Sequence, residues 1–376
     1  MAELPQRVLM LTGELQFRGS SLLTLALARG LEEREVDTAL VCTHVHHLDQ
    51  SLLKGVRLHR VPGYPVPIWG RLILRTLYRD LKDQPPSVIH LMDSRLLPQA
   101  AWLADKLHCP LVVSIGDHRE AERLYLRHAP QSLKAIIAVS ESVKSHLPEG
   151  PRAAEIEQRV IYPGVSVGDS NLASALLNPD RDPVIGMAGP LEVVKGASFL
   201  LRACHRVLEC GHQVRIIIAG SGPEEHSLRQ LASSLQMTSR LTFVDGGTAM
   251  RAYLSAMDIY CLPSLQQGLG VMMLEAMALG RPVIASGVGG VLNVVSDNET
   301  GLIVPPSDSR SLADRICELL NAPDRAREIG LAGQDLIRSK FNAQRMTDEV
   351  LELYGEICRP APRTVSVPLT AGRSRD

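Results

Sequence analysis

Short apolar runs alternate with helical patterns along almost the whole chain, and that alternation limits the fold more than any other feature. Each apolar run has the length and the Val, Ile and Leu content of a buried strand. The segments between the runs have the apolar spacing of amphipathic helices. Parallel strands need such crossover helices, so we predict an α/β fold with two Rossmann-like, doubly wound domains that face a cleft.

The predicted strands form two sets. Those of the first half are Val8–Leu11, Asp37–Thr43, Val56–Val61, Val88–Leu91, Leu111–Ser114, Ala135–Val139 and Arg159–Tyr162. Those of the second half are Val184–Met187, Gln213–Ala219, Leu241–Val244, Ile259–Leu262, Val283–Ser286 and Leu302–Val304. Helices are then predicted at Leu312–Leu320, Ala326–Lys340 and Arg345–Cys358.

A polar, irregular stretch between the two sets predicts a linker over residues 168–183. It divides a first domain of residues 1–167, expected to bind the acceptor, from a second domain of residues 184–344. The helix 345–358 follows and is free to cross back to the first domain. The tail 359–376 is rich in Pro, Arg and Ser, so we expect it to be disordered.

The composition adds three limits. A chain of 376 residues suits two domains better than one hydrophobic core. The net charge of −1 gives no reason to expect nucleic acid as a partner. The seven cysteines are scattered without a CxxC pair, and the chain starts with neither a signal peptide nor a membrane-spanning run. We therefore expect a protein of the reducing cytoplasm.

The strongest motif lies in the second half of the chain. Gly268 and Gly270 precede a helix predicted over residues 271–279. The free N–H groups at its N-terminus and the helix dipole suit a diphosphate. Glu275 lies one turn into that helix, where a carboxylate can accept hydrogen bonds from ribose hydroxyls. The alternative is that Glu275 is a solvated helix residue, but its neighbours are apolar.

Two more glycine-rich loops follow strands of the same half. Gly220 and Gly222 come directly after one strand, where they let the backbone approach a ligand. Gly189 follows another strand, and Lys195 stands at the head of the next helix, where its ammonium can meet a leaving phosphate. Taken singly, these segments could be ordinary turns with a surface lysine. Three such loops on one sheet favour a nucleotide site.

These motifs together resemble the family 4 retaining glycosyltransferases, which have the type-B fold and include sucrose synthases, mannosyltransferases and lipopolysaccharide glycosyltransferases. The matching segments are Gly189–Gly196, Gly220–Glu224, Pro263–Met277, Pro282–Gly290 and Thr300–Pro306. Weaker matches in the first half are Ala138–Ser142 and Ile161–Val165.

The resemblance implies transfer of a hexose from a nucleotide diphosphate sugar to a hydroxyl acceptor, with retention of configuration. The acceptor would be a glycan, a lipid or a small molecule. Glu275 would hold the ribose, the backbone of Gly270, Val271 and Met272 the diphosphate, and Lys195 the leaving phosphate. Enzymes of this family need no metal, since lysine and helix dipoles take the cation's place. We therefore expect no metal and no cofactor.

The chain departs from the family pattern at three positions. Gln267 stands first in the usual Glu-x7-Glu pair, and its amide can bond a sugar hydroxyl but carries no charge. Pro190 replaces the arginine of Gly-Arg-Leu, and Asn293 stands where glutamate is common. Each lost charged contact commonly costs ~1.5–3 kcal/mol. Two alternatives therefore stay open: a degenerate type-B protein that only binds a sugar nucleotide or a partner, and a nucleotide-sugar epimerase of the same fold.

The first domain offers a glycine-rich loop after its first strand. Gly19 and Ser20 are the predicted contacts, and they open a helix that runs to Arg29 and ends at Gly30. Arg18 is a candidate to replace the missing arginine.

The family also places a histidine after the fifth strand. Here Gly116 stands at that position, and His118 is our candidate catalytic residue beside Lys195 and Gln267, with Asp117 as its alternative. His90 and Asp93 are comparable candidates at the same edge, unless these histidines are core or surface residues.

A basic amphipathic helix is predicted over residues 69–82. Its basic residues share one face: Arg71, Arg75, Arg79 and Lys82. Together with Trp69, that face could lie on the inner face of an anionic membrane and bring a lipid-linked acceptor to the cleft. The alternative is a surface helix that is packed on the sheet and has a solvated basic face.

Overall fold

The structure is a computed structural model that describes residues 5–16, 18–46, 48, 50–64, 69–124, 126, 129–167, 176–245 and 250–358. For Ser51, Trp69 and Arg71 it describes the backbone alone. The predicted tail 359–376 and residues 168–175 of the predicted linker lie outside the described residues.

Seven parallel strands form the first sheet, in the order β3-β2-β1-β4-β5-β6-β7. They are β1 (Arg7–Leu11), β2 (Asp37–Cys42), β3 (Arg57–Arg60), β4 (Val88–Leu91), β5 (Leu111–Ile115), β6 (Leu133–Ala138) and β7 (Glu157–Val160). The helices of this half are α1 (Gly19–Glu32), α2 (Gln50–Leu53), α3 (Trp69–Leu81), α4 (Leu97–Leu107), α5 (His118–Arg123) and α6 (Glu141–Lys144).

Six parallel strands form the second sheet, in the order β10-β9-β8-β11-β12-β13. They are β8 (Val184–Ala188), β9 (Arg215–Ala219), β10 (Leu241–Val244), β11 (Ile259–Leu262), β12 (Val283–Ser286) and β13 (Leu302–Val304). The helices of this half are α7 (Ala197–Glu209), α8 (Glu225–Ser234), α9 (Met250–Ala256), α10 (Val271–Ala278), α11 (Ser309–Asn321) and α12 (Pro323–Lys340). The predicted α/β fold with two doubly wound sheets is confirmed.

The strand order of each sheet reverses at one point. In the first sheet the reversal lies between β1 and β4, and in the second it lies between β8 and β11. The loops that leave a parallel sheet on either side of such a point diverge and leave a crevice at the carboxyl ends of the strands. Of the glycine-rich loops singled out in the sequence, those after β1, β8 and β11 leave strands at the two reversal points, so the topology directs them to these crevices, and the loop with Gly220 and Gly222 follows the neighbouring β9.

The last helix, α13 (Ala343–Ile357), packs against the first sheet's layer rather than the second's. Gly30 permits the contact, since a Cβ there would stand 2.2 Å from Oγ1 of Thr347. The prediction that Gly30 ends α1 is therefore wrong, because the helix continues to Glu32. The glycine serves close packing between two helices instead of helix termination. The domain boundaries themselves stay predictions.

Packing of α13 against the first sheet also explains why His90, one of the histidines considered for the cleft, is buried. Its Nδ1 lies 2.6 Å from the Tyr354 hydroxyl and its Nε2 lies 2.8 Å from Oγ of Ser114. The ring is fully buried, and burial lowers the pKa of His90 to about 3. His90 is thus a neutral core residue that fastens α13 to the sheet.

The predicted basic helix forms as α3, and its apolar side is already occupied. Leu74 is buried, and Ile73, Leu77 and Leu81 pack against the core of the first half. Arg75, Arg79 and Lys82 are exposed. Among the described helices, none has the length and apolarity that a membrane span requires. Contact of this helix with a membrane surface stays a prediction.

Candidate active site

A cavity of about 240 Å³ lies between the carboxyl edges of the two sheets. Loops from both halves of the chain line it. The predicted site residues among its walls are Arg18, Gly19, Ser20, Asp117, Gly189, Lys195, Gln267, Gly268, Gly270, Val271 and Met272. The cavity therefore brings together residues that are more than 250 positions apart in the chain (Gly19 and Met272).

Two helix N-termini lie side by side in the wall of this cavity. Helix α1 begins at Gly19 and α10 begins at Val271, and a Cβ on Gly19 would stand 3.0 Å from Cβ of Val271. Neither N-cap residue, Arg18 or Gly270, makes a side-chain cap hydrogen bond. Uncapped N–H groups and two helix dipoles thus converge on one space, which makes the space favourable for an anion.

The backbone at Gly268 and Gly270 sets the entry to α10. Gly270 has a φ of 103°, a left-handed value that suits glycine. Gly268 lies so close to the other half that a Cβ would stand 2.2 Å from the Gly116 carbonyl oxygen. The Ser140 hydroxyl donates to the Gly268 carbonyl oxygen at 3.0 Å. The floor of the cavity is therefore a contact between the two halves.

Gly220 and Gly222 lie behind the cavity rather than in its wall. A Cβ on Gly220 would stand 1.9 Å from the Gly189 carbonyl oxygen, and one on Gly222 would stand 2.5 Å from that of Leu191. Both glycines therefore let the neighbouring loop, which carries Gly189 and Pro190, pack against them. The structure places them as supports of a lining loop.

Lys195 and Gln267 form a direct pair inside the cavity. Nζ of Lys195 donates to Oε1 of Gln267 at 2.9 Å, and the Ser264 hydroxyl donates to the same oxygen at 3.3 Å. Burial lowers the pKa of the Lys195 ammonium, and the carboxylates of Glu192 and Asp117 partly oppose that shift. This partly buried cation donates to a neutral amide rather than to a carboxylate, so an incoming anion would be attracted to it.

Glu275 lies in the second turn of α10 and is not among the residues that line the cavity. Its side chain is 20% exposed, and burial raises the pKa of Glu275 to about 7. Nη1 of Arg251 lies 3.9 Å from Oε2 of Glu275 and opposes that shift. Arg251 also donates to the carbonyl oxygen of Ser166 at 3.3 Å. Sequence reasoning missed Arg251, because nothing in α9 marks it as a partner of α10.

His118 begins α5 but is turned away from the cavity, which it does not line. Its Nε2 lies 2.8 Å from the Ser142 hydroxyl, and its Cε1 would be 3.0 Å from a Cβ on Gly289. Burial and the nearby His146 lower the pKa of His118. The structure thus places His118 under a loop of the second half. Its alternative, Asp117, lines the cavity, and a catalytic role for either residue stays a prediction.

Glu120 is a cavity residue that the sequence analysis did not single out. Its Oε2 accepts a hydrogen bond from the Gly116 N–H at 2.8 Å, and burial raises the pKa of Glu120 to about 7. Oδ1 of Asp117 accepts from the Glu120 N–H at 2.8 Å and caps α5. The Asp-x-x-Glu spacing, typical of a helix N-terminus, was the signal that could have located it.

Comparison with known proteins identifies the family. The glycosyl transferases group 1 model matches residues 182–322, and the glycosyltransferase family 4 model matches residues 17–168. The phosphatidyl-myo-inositol mannosyltransferase of Mycobacterium leprae is 33% identical over 287 residues, which are 73% of this chain and 75% of that protein. This chain is a family 4 glycosyltransferase. The family predicted from the motifs is confirmed.

Other relatives agree with this assignment. The alpha-maltose-1-phosphate synthase of Mycolicibacterium smegmatis is 28% identical over 295 residues, covering 72% of this chain and 73% of that protein. Anabaena Alr3699/HepE, solved in complex with UDP-glucose, has a similar fold with a TM-score of 0.79 and 19% identity. That similarity covers 93% of this chain and 99% of HepE. The glycosyltransferase therefore has the predicted type-B fold.

Proposed function

We propose that this glycosyltransferase moves a hexose from a nucleotide diphosphate sugar to a hydroxyl acceptor, with retention at the anomeric carbon. One observation carries the proposal: the N-termini of α1 and α10 and the Lys195 ammonium converge on a single cavity. Converging N–H groups and a partly buried cation suit a diphosphate, which is the part shared by all such donors. The HepE structure, with UDP-glucose bound on the same fold, supports this reading of the cavity.

Donor binding follows from the positions of the helix residues. The backbone N–H groups of Gly270, Val271 and Met272 would hold the diphosphate at the start of α10. Glu275 would accept hydrogen bonds from the ribose hydroxyls in its ionised form, which Arg251, with its Nη1 3.9 Å from Oε2 of Glu275, favours. No metal is required in this arrangement, because the ammonium of Lys195 and two helix dipoles supply the positive charge.

Bond breaking leaves negative charge on the departing diphosphate and positive charge on the sugar. Lys195 would stabilise the diphosphate, and the arriving anion would raise the pKa that burial lowers in the free enzyme. Gln267 is an amide, so it is neither a carboxylate nucleophile nor a counter-ion for the sugar cation. The departing diphosphate must itself balance that cation, which keeps leaving group and incoming hydroxyl on one face of the ring and favours retention.

Arg18 is our candidate to replace the arginine that Pro190 removes. It lines the cavity at the N-cap of α1, opposite the loop that carries Pro190. Its Nη2 donates to Oε1 of Gln16 at 2.8 Å, which fixes the direction of the guanidinium. A guanidinium there would offer the diphosphate the bidentate contact that proline cannot.

For the acceptor we propose a hydroxyl on a lipid-linked molecule. The Mycobacterium leprae relative is named for phosphatidyl-myo-inositol, and the exposed basic side of α3 carries Arg75 and Arg79, with the exposed Lys82 directly after the helix. Such a side attracts an anionic membrane surface. Binding to vesicles with and without anionic lipid, compared between the native chain and Arg75→Glu/Arg79→Glu, tests this part by itself.

The central experiment incubates the chain with UDP-, GDP- and ADP-hexoses and a panel of hydroxyl acceptors, and follows products by NMR. We expect transfer with an unchanged anomeric configuration. Lys195→Ala should lower the rate by ~10²–10³-fold, as loss of one preorganised donor does, whereas the exposed Lys340→Ala should not. An inverted product contradicts retention.

The two open alternatives give different outcomes in the same assay. A degenerate binder would show a nucleotide-dependent rise in melting temperature with every donor silent. An epimerase would convert the donor sugar without any acceptor present. Either result would replace the transfer proposal.

A further inference from the structure

A cluster of metal-ligating side chains lies outside the cavity, at the carboxyl ends of β1 and β2. It consists of Glu14, His44 and His46, all of them exposed. Each of these residues offers one ligand atom, and these atoms all lie within 4.8 Å of one another. The reaction proposed above uses none of the three residues.

Backbone pairing holds the cluster together. Beyond β1 and β2 the two strands continue through a parallel bridge between Leu15 and Val45. The Leu15 N–H donates to the His44 carbonyl oxygen at 2.9 Å, and the His46 N–H donates to that of Leu15 at 2.9 Å. Leu15 is fully buried, so its neighbour Glu14 points to the opposite, solvent side. The same alternation puts His44 and His46 on that side, one on each flank of Val45.

The side chains are already close to a coordinating arrangement. The rings of His44 and His46 are stacked with centroids 5.7 Å apart and an interplanar angle of 28°. Ligand bonds of ~2.0–2.1 Å in a tetrahedral site put ligand atoms ~3.4 Å apart. The present separations, 4.8 Å at most, require only side-chain rotations to close. Exposed side chains make such rotations at little cost.

We propose that Glu14, His44 and His46 bind a divalent transition-metal ion, with Zn²⁺ the best match. The two imidazoles favour Zn²⁺ over Mg²⁺ or Ca²⁺, which prefer oxygen ligands throughout, and Zn²⁺ also accepts a carboxylate oxygen. Three protein ligands leave a fourth position for water or a ligand oxygen. That position lies at the carboxyl edge of the first sheet, the edge that also borders the cavity.

A hydrogen-bonded chain connects this metal site to the cavity. One carboxylate oxygen of Glu14 accepts from Nε2 of Gln16, and Oε1 of Gln16 accepts from Arg18, which lines the cavity. A carboxylate has two oxygens, so Glu14 can bind a metal through one and keep Gln16 on the other. The ion is separate from the leaving diphosphate, whose charge remains the task of Lys195.

The test is calorimetric titration of Zn²⁺ into the full chain. It is done in a Cys210→Ser background, because Cys210 and Cys317 lie in contact and offer thiols of their own. We expect one saturable site per chain. His46→Ala and Glu14→Ala should each weaken binding at least ~10-fold, as the loss of a metal contact does. His226→Ala, which removes an exposed histidine of α8, is the matched control and should leave the affinity unchanged.

Co²⁺ provides a second measurement that does not depend on affinity. Its visible spectrum in the same background should show bound nitrogen and oxygen ligands without thiolate charge-transfer bands, and His44→Ala should abolish that spectrum. Circular dichroism verifies that each variant is folded. Saturable binding that survives both His46→Ala and Glu14→Ala, or a chain that fails to saturate with Zn²⁺, would overturn the proposal.

Discussion

At the scale of single residues, the site depends on a cation without a directly bonded counter-charge. Lys195 donates to a neutral amide at 2.9 Å where the family usually has a carboxylate. A lysine surrounded by little water and no directly bonded anion holds its proton less tightly than a surface lysine. The replacement at Gln267 therefore affects catalysis through the ammonium as well as through the sugar.

Gln267→Glu should raise the pKa of Lys195, because the new carboxylate would bond the ammonium directly. Since Lys195 acts protonated, the native rate should fall as pH rises through its lowered pKa. In Gln267→Glu that fall should move to higher pH. The measurement is kcat/KM against pH, which reports the pKa values of the free enzyme, with Gln230→Glu on the exposed side of α8 as control. If the rate parameter falls at the same high pH in both variants, Lys195 is not the titrating group.

Glu275 predicts a second pH dependence, of the opposite sense. Burial raises its pKa to about 7, so the free enzyme carries the neutral acid below that pH. The ribose hydroxyls are better donors to the ionised form. The KM for the donor should therefore fall as pH rises through about 7 in the native chain.

Glu275→Gln provides the control for that dependence. Its amide does not titrate, so the KM for the donor should be higher than that of the native ionised form and should not change with pH around 7. If the variant keeps the native pH profile, another group controls donor binding.

At the scale of elements, α1 and α13 pack very closely at Gly30, where an added Cβ would overlap a side chain of α13. A Cβ at position 30 would stand 2.2 Å from Oγ1 and 3.1 Å from Cβ of Thr347. The side chain of Thr347 is fully buried, and its hydroxyl donates to the Ala343 carbonyl oxygen within α13. The contact therefore has no space for even one added methyl group.

Gly30→Ala should lower the free energy of unfolding by ~1–3 kcal/mol, the usual effect of overpacking. In a Thr347→Ala background the added methyl gains room, so the same substitution should cost much less. Denaturant titration of the four chains gives the coupling directly. Equal losses in both backgrounds would mean that the two residues do not compete for space.

At the scale of the whole molecule, the cavity exists only while the two halves stay in contact. Gly268 approaches the Gly116 carbonyl oxygen too closely for any side chain, and Ser140 bonds the Gly268 carbonyl across the same contact. The N-terminus of α10 and the loops of the first half therefore line the same cavity only when the two halves are in this closed arrangement.

Gly268→Ala should separate the halves and lower kcat more than it weakens nucleotide binding, since most donor contacts belong to the second half. We expect a larger radius of gyration by small-angle X-ray scattering. Gly116→Ala is the control for scattering, because its Cβ would meet only Oε2 of Glu120 at 3.6 Å, an ordinary contact. If both variants scatter alike, the Gly268 contact does not set closure.

Local pattern determined much of this protein. Short apolar runs predicted each strand of both sheets, with β7 shifted by two residues, because a parallel strand that helices cover on both faces is apolar along most of its length. The glycine loops before α7 and α10 and the family motifs could also be identified from the sequence, because a tight turn requires its glycine for local backbone reasons that do not depend on tertiary packing. Lys195, Gln267 and the start of α10 were thus brought to one cavity as the sequence predicted.

Tertiary packing decided what no local pattern contains. His90 became a core residue because α13 covers it, and Gly220 became a support because the Gly189 loop packs onto it. Arg251 reaches Glu275, and Glu14 reaches His44 and His46, only through contacts between segments distant in the chain. Burial and neighbouring charge set the pKa of a group, and both come from such distant segments. For that reason the sequence identified the chemical groups, and the fold determined which of them face the cavity and in what charge state.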